Sequence, residues 1–379
     1  RHAERRAGVS GGGRSAAVRF PLRPAQRLLG DLAGPRGTRP GVPDPYRRHH
    51  RSLRILARLG ATGVVAVVLP ASALVGVNAG LDYLRTVGDV AGTGPAEGIG
   101  VAQLLLSRKV PATGQVVQIP IPGTASHFAA RPAVVWVPPA WYERPRPQLP
   151  VIVLLHGTPG RPVDWVDSGG AADVANAWAA QHHGVAPILV MPDVNGTYTA
   201  DSECVDTPTA KVETYLTRDV PRVVSRLLGT RPPGPSWAVA GLSEGGSCAA
   251  MLALRHPTVF ATFGDYAGLL GPRVGDSNGG VPDTVAGLFG GSQAAFAAHD
   301  PATLLAANRA PGIAGWFEAG DADTDPAAAA HTLSAVATRA GVENRLVIVP
   351  GGGHDFDLFS QALSDSYPWL VGRVSVPVP

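Results

Sequence analysis

The hydrophobic pattern changes character three times along the chain. Residues 1–50 are rich in Arg, Gly and Pro and carry no apolar period, so they cannot build a packed core. Leu59–Leu81 then runs for 23 residues without a charge, between Arg58 and Asp82. A helix of that length, at about 1.5 Å per residue, matches a hydrocarbon core of about 30 Å. After a Gly-rich stretch at 87–100, short apolar runs alternate with helical ones. Val116–Ile121, Ala133–Val137, Val151–Leu155, Ile188–Met191, Trp237–Ala240, Ile313–Phe317 and Leu346–Val349 read as strands. Ala171–Ala180, Val212–Leu228, Ser247–Leu254 and Pro326–Ala340 read as helices. Val151–Leu155 is apolar throughout, as in a strand covered on both faces. The alternation predicts an α/β fold with a mostly parallel central sheet and helices on both faces. The expected organisation is a basic tail (1–58), a membrane-directed segment (59–81), a linker (82–114) and one folded domain (115–379).

Charge sharpens this division. Residues 1–58 hold fourteen Arg against Glu4, Asp31 and Asp44, a net +11, and the whole chain sums to only +3, so the body carries −8. An acidic body is a poor binder of phosphate backbones, and no nucleic-acid partner is expected. Arg47, Arg48, Arg51, Arg54 and Arg58 precede the apolar run, which places its N-terminal side in the cytoplasm. Two readings of that run compete with a transmembrane anchor. Ala61–Leu69 followed by Ala71-Ser72-Ala73 has the shape of a cleaved signal peptide, and a buried core helix is the third choice. Anchor and signal both export the body, either to the outer face of the cell membrane or free of it.

Chemistry enters at Gly241-Leu242-Ser243-Glu244-Gly245, a G-x-S-x-G pattern between a strand and a helix. That setting projects Ser243 from a tight turn, with the positive end of the following helix beneath a developing oxyanion. A nucleophilic serine needs a base and a group that orients the base. His354 in Gly352-Gly353-His354-Asp355 follows the last strand, and Gly320-Asp321-Ala322-Asp323 follows the strand before it. Asp323 is preferred as the acid, with Asp321 the main rival, Glu318 behind it, and Asp325 a further carboxylate nearby. The order serine, acid, histidine is that of an α/β-hydrolase fold. The second oxyanion donor is expected in His156-Gly157-Thr158-Pro159-Gly160. Thr158 would supply an N–H beside that of Glu244, because Pro159 has none. His156 reads as a structural residue of that loop.

In order along 115–372, the segments PVIVLLHG, APILVMPD, ECVDTP, ETYLTRDVP, WAVAGLSEGGSCAAMLALRHP and GGGHDF resemble the esterase branch of α/β-hydrolases. That branch includes esterase D and the mycobacterial mycolyltransferases. The resemblance extends to exported actinobacterial members and implies a triad of Ser243, Asp323 and His354. The Glu244-Gly245 pair departs from what mycolyltransferases carry after the nucleophile. It leaves esterase or acyltransferase as the expectation rather than mycolyl transfer.

The two cysteines, Cys204 and Cys248, form an even pair in an exported chain. A disulfide between them would tie the loop at 194–211 to the nucleophile helix, against the alternative of two buried thiols. Trp165, Asp193, Asn195 and Tyr198 are expected to line the substrate pocket, since they follow strands of the sheet. His182-His183 does not converge on one ion, no CxxC or HExxH occurs, and no metal or cofactor is expected. The expected substrate is a small-molecule or lipid ester, with a sugar as a candidate acceptor and the membrane as a partner through 59–81 if that segment is uncleaved. A catalytically silent envelope binding protein and a serine peptidase on the same fold are the competing readings.

Overall fold

Eight strands form one sheet in the computed structural model, which describes residues 98–307 and 312–375. They are β1 (Gln115–Ile119), β2 (Ala133–Val137), β3 (Val151–Leu155), β4 (Ile188–Met191), β5 (Gly234–Leu242), β6 (Phe260–Tyr266), β7 (Ala314–Gly320) and β8 (Glu343–Val349). Their order across the sheet is β1-β2-β4-β3-β5-β6-β7-β8. β2 runs antiparallel to both neighbours, and every pair from β4 to β8 is parallel. β3 has β4 on one side and β5 on the other, so the winding direction reverses there. The crevice beyond the carboxyl ends of β3 and β5 is therefore the natural place for a ligand.

Burial explains which strands the apolar pattern finds. β2, β3 and β4 are buried along their whole length, and their boundaries match the predicted ones residue for residue. β5 and β7 extend beyond the predicted runs through Gly and polar residues. β6 was not predicted, because Thr262, Gly264 and Asp265 interrupt its apolar run although nearly all of it is buried. The helix Glu244–Arg255 packs across β3, β5 and β6 and is buried from Glu244 through Leu254. Thr324–Arg339 packs against β7 and β8, while the unpredicted helix Phe356–Ser375 crosses β5, β6 and β7.

Three departures from the expected layout have local causes. The stretch Val212–Leu228 is not one α-helix but an α turn, a π segment at Tyr215–Asp219 and a second helix at Val220–Leu228. Pro221 lacks the N–H that a regular ladder would need there. Val101–Leu106, inside the expected linker, forms a short helix with Leu104 fully buried, and Ile99 bridges to Val117. The folded part thus extends N-terminally past 115. Short helices Val281–Phe289, Gln293–Ala297 and Pro301–Ala307 fill the long connection between β6 and β7. The tail 1–58 and the apolar run 59–81 lie outside the described residues. Among the described residues no helix is long and apolar enough to cross a membrane.

Candidate active site

Ser243 sits between the end of β5 and the helix Glu244–Arg255, with φ 55° and ψ −124°. A non-glycine residue at such a φ is strained, and the surrounding structure must hold it there. The two glycines of the motif make the turn possible by close approach. A Cβ on Gly241 would lie 2.2 Å from the carbonyl oxygen of Gly245, and one on Gly245 would lie 2.4 Å from that of Leu155. The Ser243 N–H donates to Tyr266 O at 2.9 Å, which ties the turn to the end of β6.

His354 and Asp323 converge on this serine from the far end of the sheet. Ser243 Oγ and His354 Nε2 are 2.9 Å apart, and His354 Nδ1 is 2.5 Å from Asp323 Oδ2. With an N–H on Nδ1 donating to the carboxylate, Nε2 is left to accept the serine proton. Phe359, from the unpredicted C-terminal helix, meets the imidazole edge-on at 5.2 Å between ring centroids. Of the rival carboxylates, Asp321 Oδ1 accepts the Gly351 N–H at 2.7 Å and so pins the turn that carries His354. Glu318 is fully buried beside Trp316, whose indole N–H donates to it at 2.8 Å, and burial pushes its pKa up to about 7.

The two segments expected to carry the oxyanion donors meet at the serine. The peptide N–H groups at the start of a helix have no intrahelical acceptor, which leaves that of Glu244 available beside Ser243 Oγ. From the other side, the loop after β3 passes so close that a Cβ on Gly157 would lie 3.0 Å from Ser243 Cβ. Ser243, His354, Asp323, Thr158 and Glu244 line one cavity of about 400 Å³. The same cavity is lined by Asp201 and Glu203 from the loop after β4 and by Leu269 and Asp276 from the loop after β6.

The four residues expected in the pocket are placed elsewhere, and the cavity lining does not include them. Trp165 is fully buried, its indole N–H donating to Leu155 O at 2.9 Å and its ring packed edge-on against Tyr266. Asp193 is also fully buried. It accepts from Arg131 Nη2 at 2.6 Å, Arg131 N at 2.7 Å and Gly196 N at 3.0 Å. Burial alone would raise its pKa, but its hydrogen bonds from His156, Arg131 and Asn195 hold the carboxyl well below the usual range. Asn195 lies beneath the cavity, bonded to Thr158 and Glu244. Tyr198 is exposed, and its carbonyl accepts from Gly160 N. His156 is a buried loop residue as expected, with Nδ1 2.8 Å from Gly157 O and Nε2 3.3 Å from Asp193 Oδ1.

Asp201 and Glu203 could have been found from the sequence, since the Cys204–Cys248 pairing points at their loop. Leu269 and Asp276 follow the strand that the apolar pattern misses, so no signal announced them. Cys204 and Cys248 form the expected disulfide, with Cα atoms 5.7 Å apart. Their sulfurs lie near Glu244, but sulfurs bonded to each other are not thiolate ligands, and this cluster offers no metal site.

Comparison with known proteins fixes the family. The profile described as "Putative esterase" matches residues 129–370, well over half of the chain. This chain belongs to that esterase family. It is 32% identical over 345 residues to an uncharacterised protein of Corynebacterium glutamicum, a match covering 86% of this chain and 80% of the other. A shorter stretch of 92 residues is 36% identical to the diacylglycerol acyltransferase/mycolyltransferase Ag85A of Mycobacterium ulcerans, covering 24% and 25% of the two chains. In fold the esterase domain resembles an S-formylglutathione hydrolase from Agrobacterium tumefaciens. The TM-score is 0.56 at 18% identity, over 71% of this chain and 99% of that one. An α/β-hydrolase fold, with a mostly parallel eight-stranded sheet, is thus the family's scaffold here.

Proposed function

We propose that this chain is an exported serine esterase or acyltransferase that acts on carboxylic esters through Ser243, His354 and Asp323. The observation that carries this reading is the unbroken hydrogen-bonded path from Ser243 Oγ through His354 to Asp323 at the wall of a cavity. Ser243 Oγ adds to the ester carbonyl carbon while its proton passes to His354 Nε2. Asp323 accepts from Nδ1 and stabilises the imidazolium. The carbonyl oxygen gains negative charge and is met by the N–H groups of Glu244 and Thr158. Collapse breaks the bond to the alcohol oxygen, which leaves with the proton from His354, and Ser243 keeps the acyl group. Water, or a sugar or glycerol hydroxyl, then repeats the sequence in reverse and frees the serine.

Export is supported by the uncharged run at 59–81 with its preceding arginines, and by a disulfide that suits an oxidising compartment. The chain would then be anchored in the cell membrane or released after cleavage. The test is product analysis on the purified full chain with ester donors of several acyl lengths, with and without a sugar acceptor. Free acid, or an acyl sugar, that forms with wild type and not with Ser243→Ala supports the reading. Equal turnover by Ser243→Ala overturns it, and no turnover of any donor favours a silent binding protein.

A further inference from the structure

We propose that the Glu244 side chain is a positioning residue, a latch that fastens the oxyanion loop and the loop after β4 onto the nucleophile helix. This inference rests on the serine-esterase reading above, which uses only the backbone N–H of Glu244. The side chain is buried, and it joins three elements that are distant in sequence. Its Oε1 accepts from Ser202 N at 3.2 Å and Glu203 N at 3.1 Å. Its Oε2 accepts from Asn195 Nδ2 at 2.8 Å and makes a short contact with Thr158 Oγ1. Asn195 closes the ring, donating from Nδ2 to Thr158 Oγ1 at 2.7 Å and accepting from Ser202 N at 2.9 Å on Oδ1.

Counting protons in this ring assigns a state to Glu244. Thr158 Oγ1 already accepts from Asn195, and its single hydrogen faces two acceptors, Glu244 Oε2 and Ala200 O at 3.0 Å. Were Glu244 ionised, one of those two contacts would lack a hydrogen, an unmet demand that is costly in a buried site. A neutral Glu244 donates its own proton to Thr158 Oγ1, Thr158 donates to Ala200 O, and both contacts of the Thr158 hydroxyl are met. The electrostatics agree: burial first, and then the charge of Asp201, push the Glu244 carboxyl up to about 7.

The groups facing Glu244 act together with it. Glu203 is raised well above its ordinary value by burial, with Glu244 and Asp201 adding repulsion. Arg273 and Asp276, from the loop after β6, act on Glu203 and Asp201 respectively, and His156 favours the ionised form of Glu244. The carboxyls therefore titrate as a coupled set. Ionising that set removes the donor to Thr158 and also puts negative charge beside the N–H that receives the oxyanion. The neutral form is the competent one.

Full-length Glu244→Gln and Glu244→Leu test this. Rates are measured on a short-chain aryl ester, per site titrated with a fluorophosphonate, and amide hydrogen exchange is followed over 195–203. The neutral form of this coupled set is depleted as pH rises from 6 to 8. The ratio of Glu244→Gln to wild-type kcat should therefore rise several-fold over that range, since Gln cannot ionise and still donates to Thr158. The ratio cancels any constant penalty from the new amide facing Asn195. Glu244→Leu should lower kcat about tenfold or more with KM within about threefold, and speed exchange at 195–203 about tenfold. A ratio flat with pH, together with unchanged exchange in Glu244→Leu, overturns the latch. A wild type that neither turns over ester nor labels sinks the esterase reading instead. The exchange comparison then decides the latch alone, faster exchange supporting it and unchanged exchange overturning it.

Discussion

Removing the Cys204–Cys248 bond is the perturbation whose size can be worked most directly from the structure. The bond joins residues 44 positions apart. In the chain-entropy treatment, opening a loop of about 45 residues returns about 13 cal/mol/K to the unfolded chain, or about 4 kcal/mol at 25 °C. For a domain of this size each kcal/mol moves the thermal midpoint by about 2–4 °C, so the loss corresponds to about 8–16 °C. Both sulfurs are buried, so the Cys204→Ala/Cys248→Ala pair also loses packing. Unfolding wild type with and without reductant, alongside the double variant, separates the two contributions. The assay is circular dichroism at one pH. Function responds as well, because the bond fastens the loop that brings Asp201 and Glu203 to the cavity. A reduced protein and a double variant that both melt within about 2 °C of wild type would refute the reasoning, since that is less than about 1 kcal/mol.

Further outcomes follow from the same geometry. Asp323→Asn should lower kcat by roughly 10³–10⁴ with KM little changed, whereas Asp321→Asn, which only loosens the turn before His354, should lower it less than about tenfold; equal losses would contradict the assignment of the acid. Gly241→Ala forces a Cβ to 2.2 Å from the Gly245 carbonyl oxygen and should cost about 3 kcal/mol or more, read as a loss of soluble folded protein. Stability should peak at about pH 4–5 and fall from there toward pH 7. Asp265 and Glu318 are raised to about 7 by burial, so what they contribute is complete below the ordinary carboxylate range and lost as pH climbs through 7. Asp193 and Glu213 are held low despite burial by their hydrogen-bonding partners, so their contribution is present above that range and lost on acidification. Midpoints measured from pH 3 to 9 check this, Glu318→Gln should flatten the fall between about pH 5 and 7, and a curve still rising there would contradict it.

What the sequence discloses follows from what decides each feature. β2, β3 and β4 are legible because strands buried on both faces must be apolar at every position. β6 carries Thr262, Gly264 and Asp265 at buried positions, so burial there is set by neighbours that the local pattern does not contain. The helix Phe356–Ser375 holds Pro368 in its interior, which reads as a break until the packing against the sheet is seen. That Ser243, His354 and Asp323 meet is legible because the order expected of a nucleophile, its acid and its base puts each after a particular strand. The pocket residues are not. Asp193 follows a strand at the right edge, yet Arg131, from far earlier in the chain, satisfies it in the interior. The role of the Glu244 side chain likewise depends on partners at 158, 195 and 202–203, which only the folded chain brings together.

The central claim is that Ser243 is an activated nucleophile. Intact-mass and peptide mapping after a fluorophosphonate is added to the folded full-length chain tests it most directly. One adduct is expected, on Ser243, that is lost in Ser243→Ala and strongly slowed in Asp323→Asn. Folded wild type that stays unlabelled, or an adduct that persists in Ser243→Ala, would contradict it.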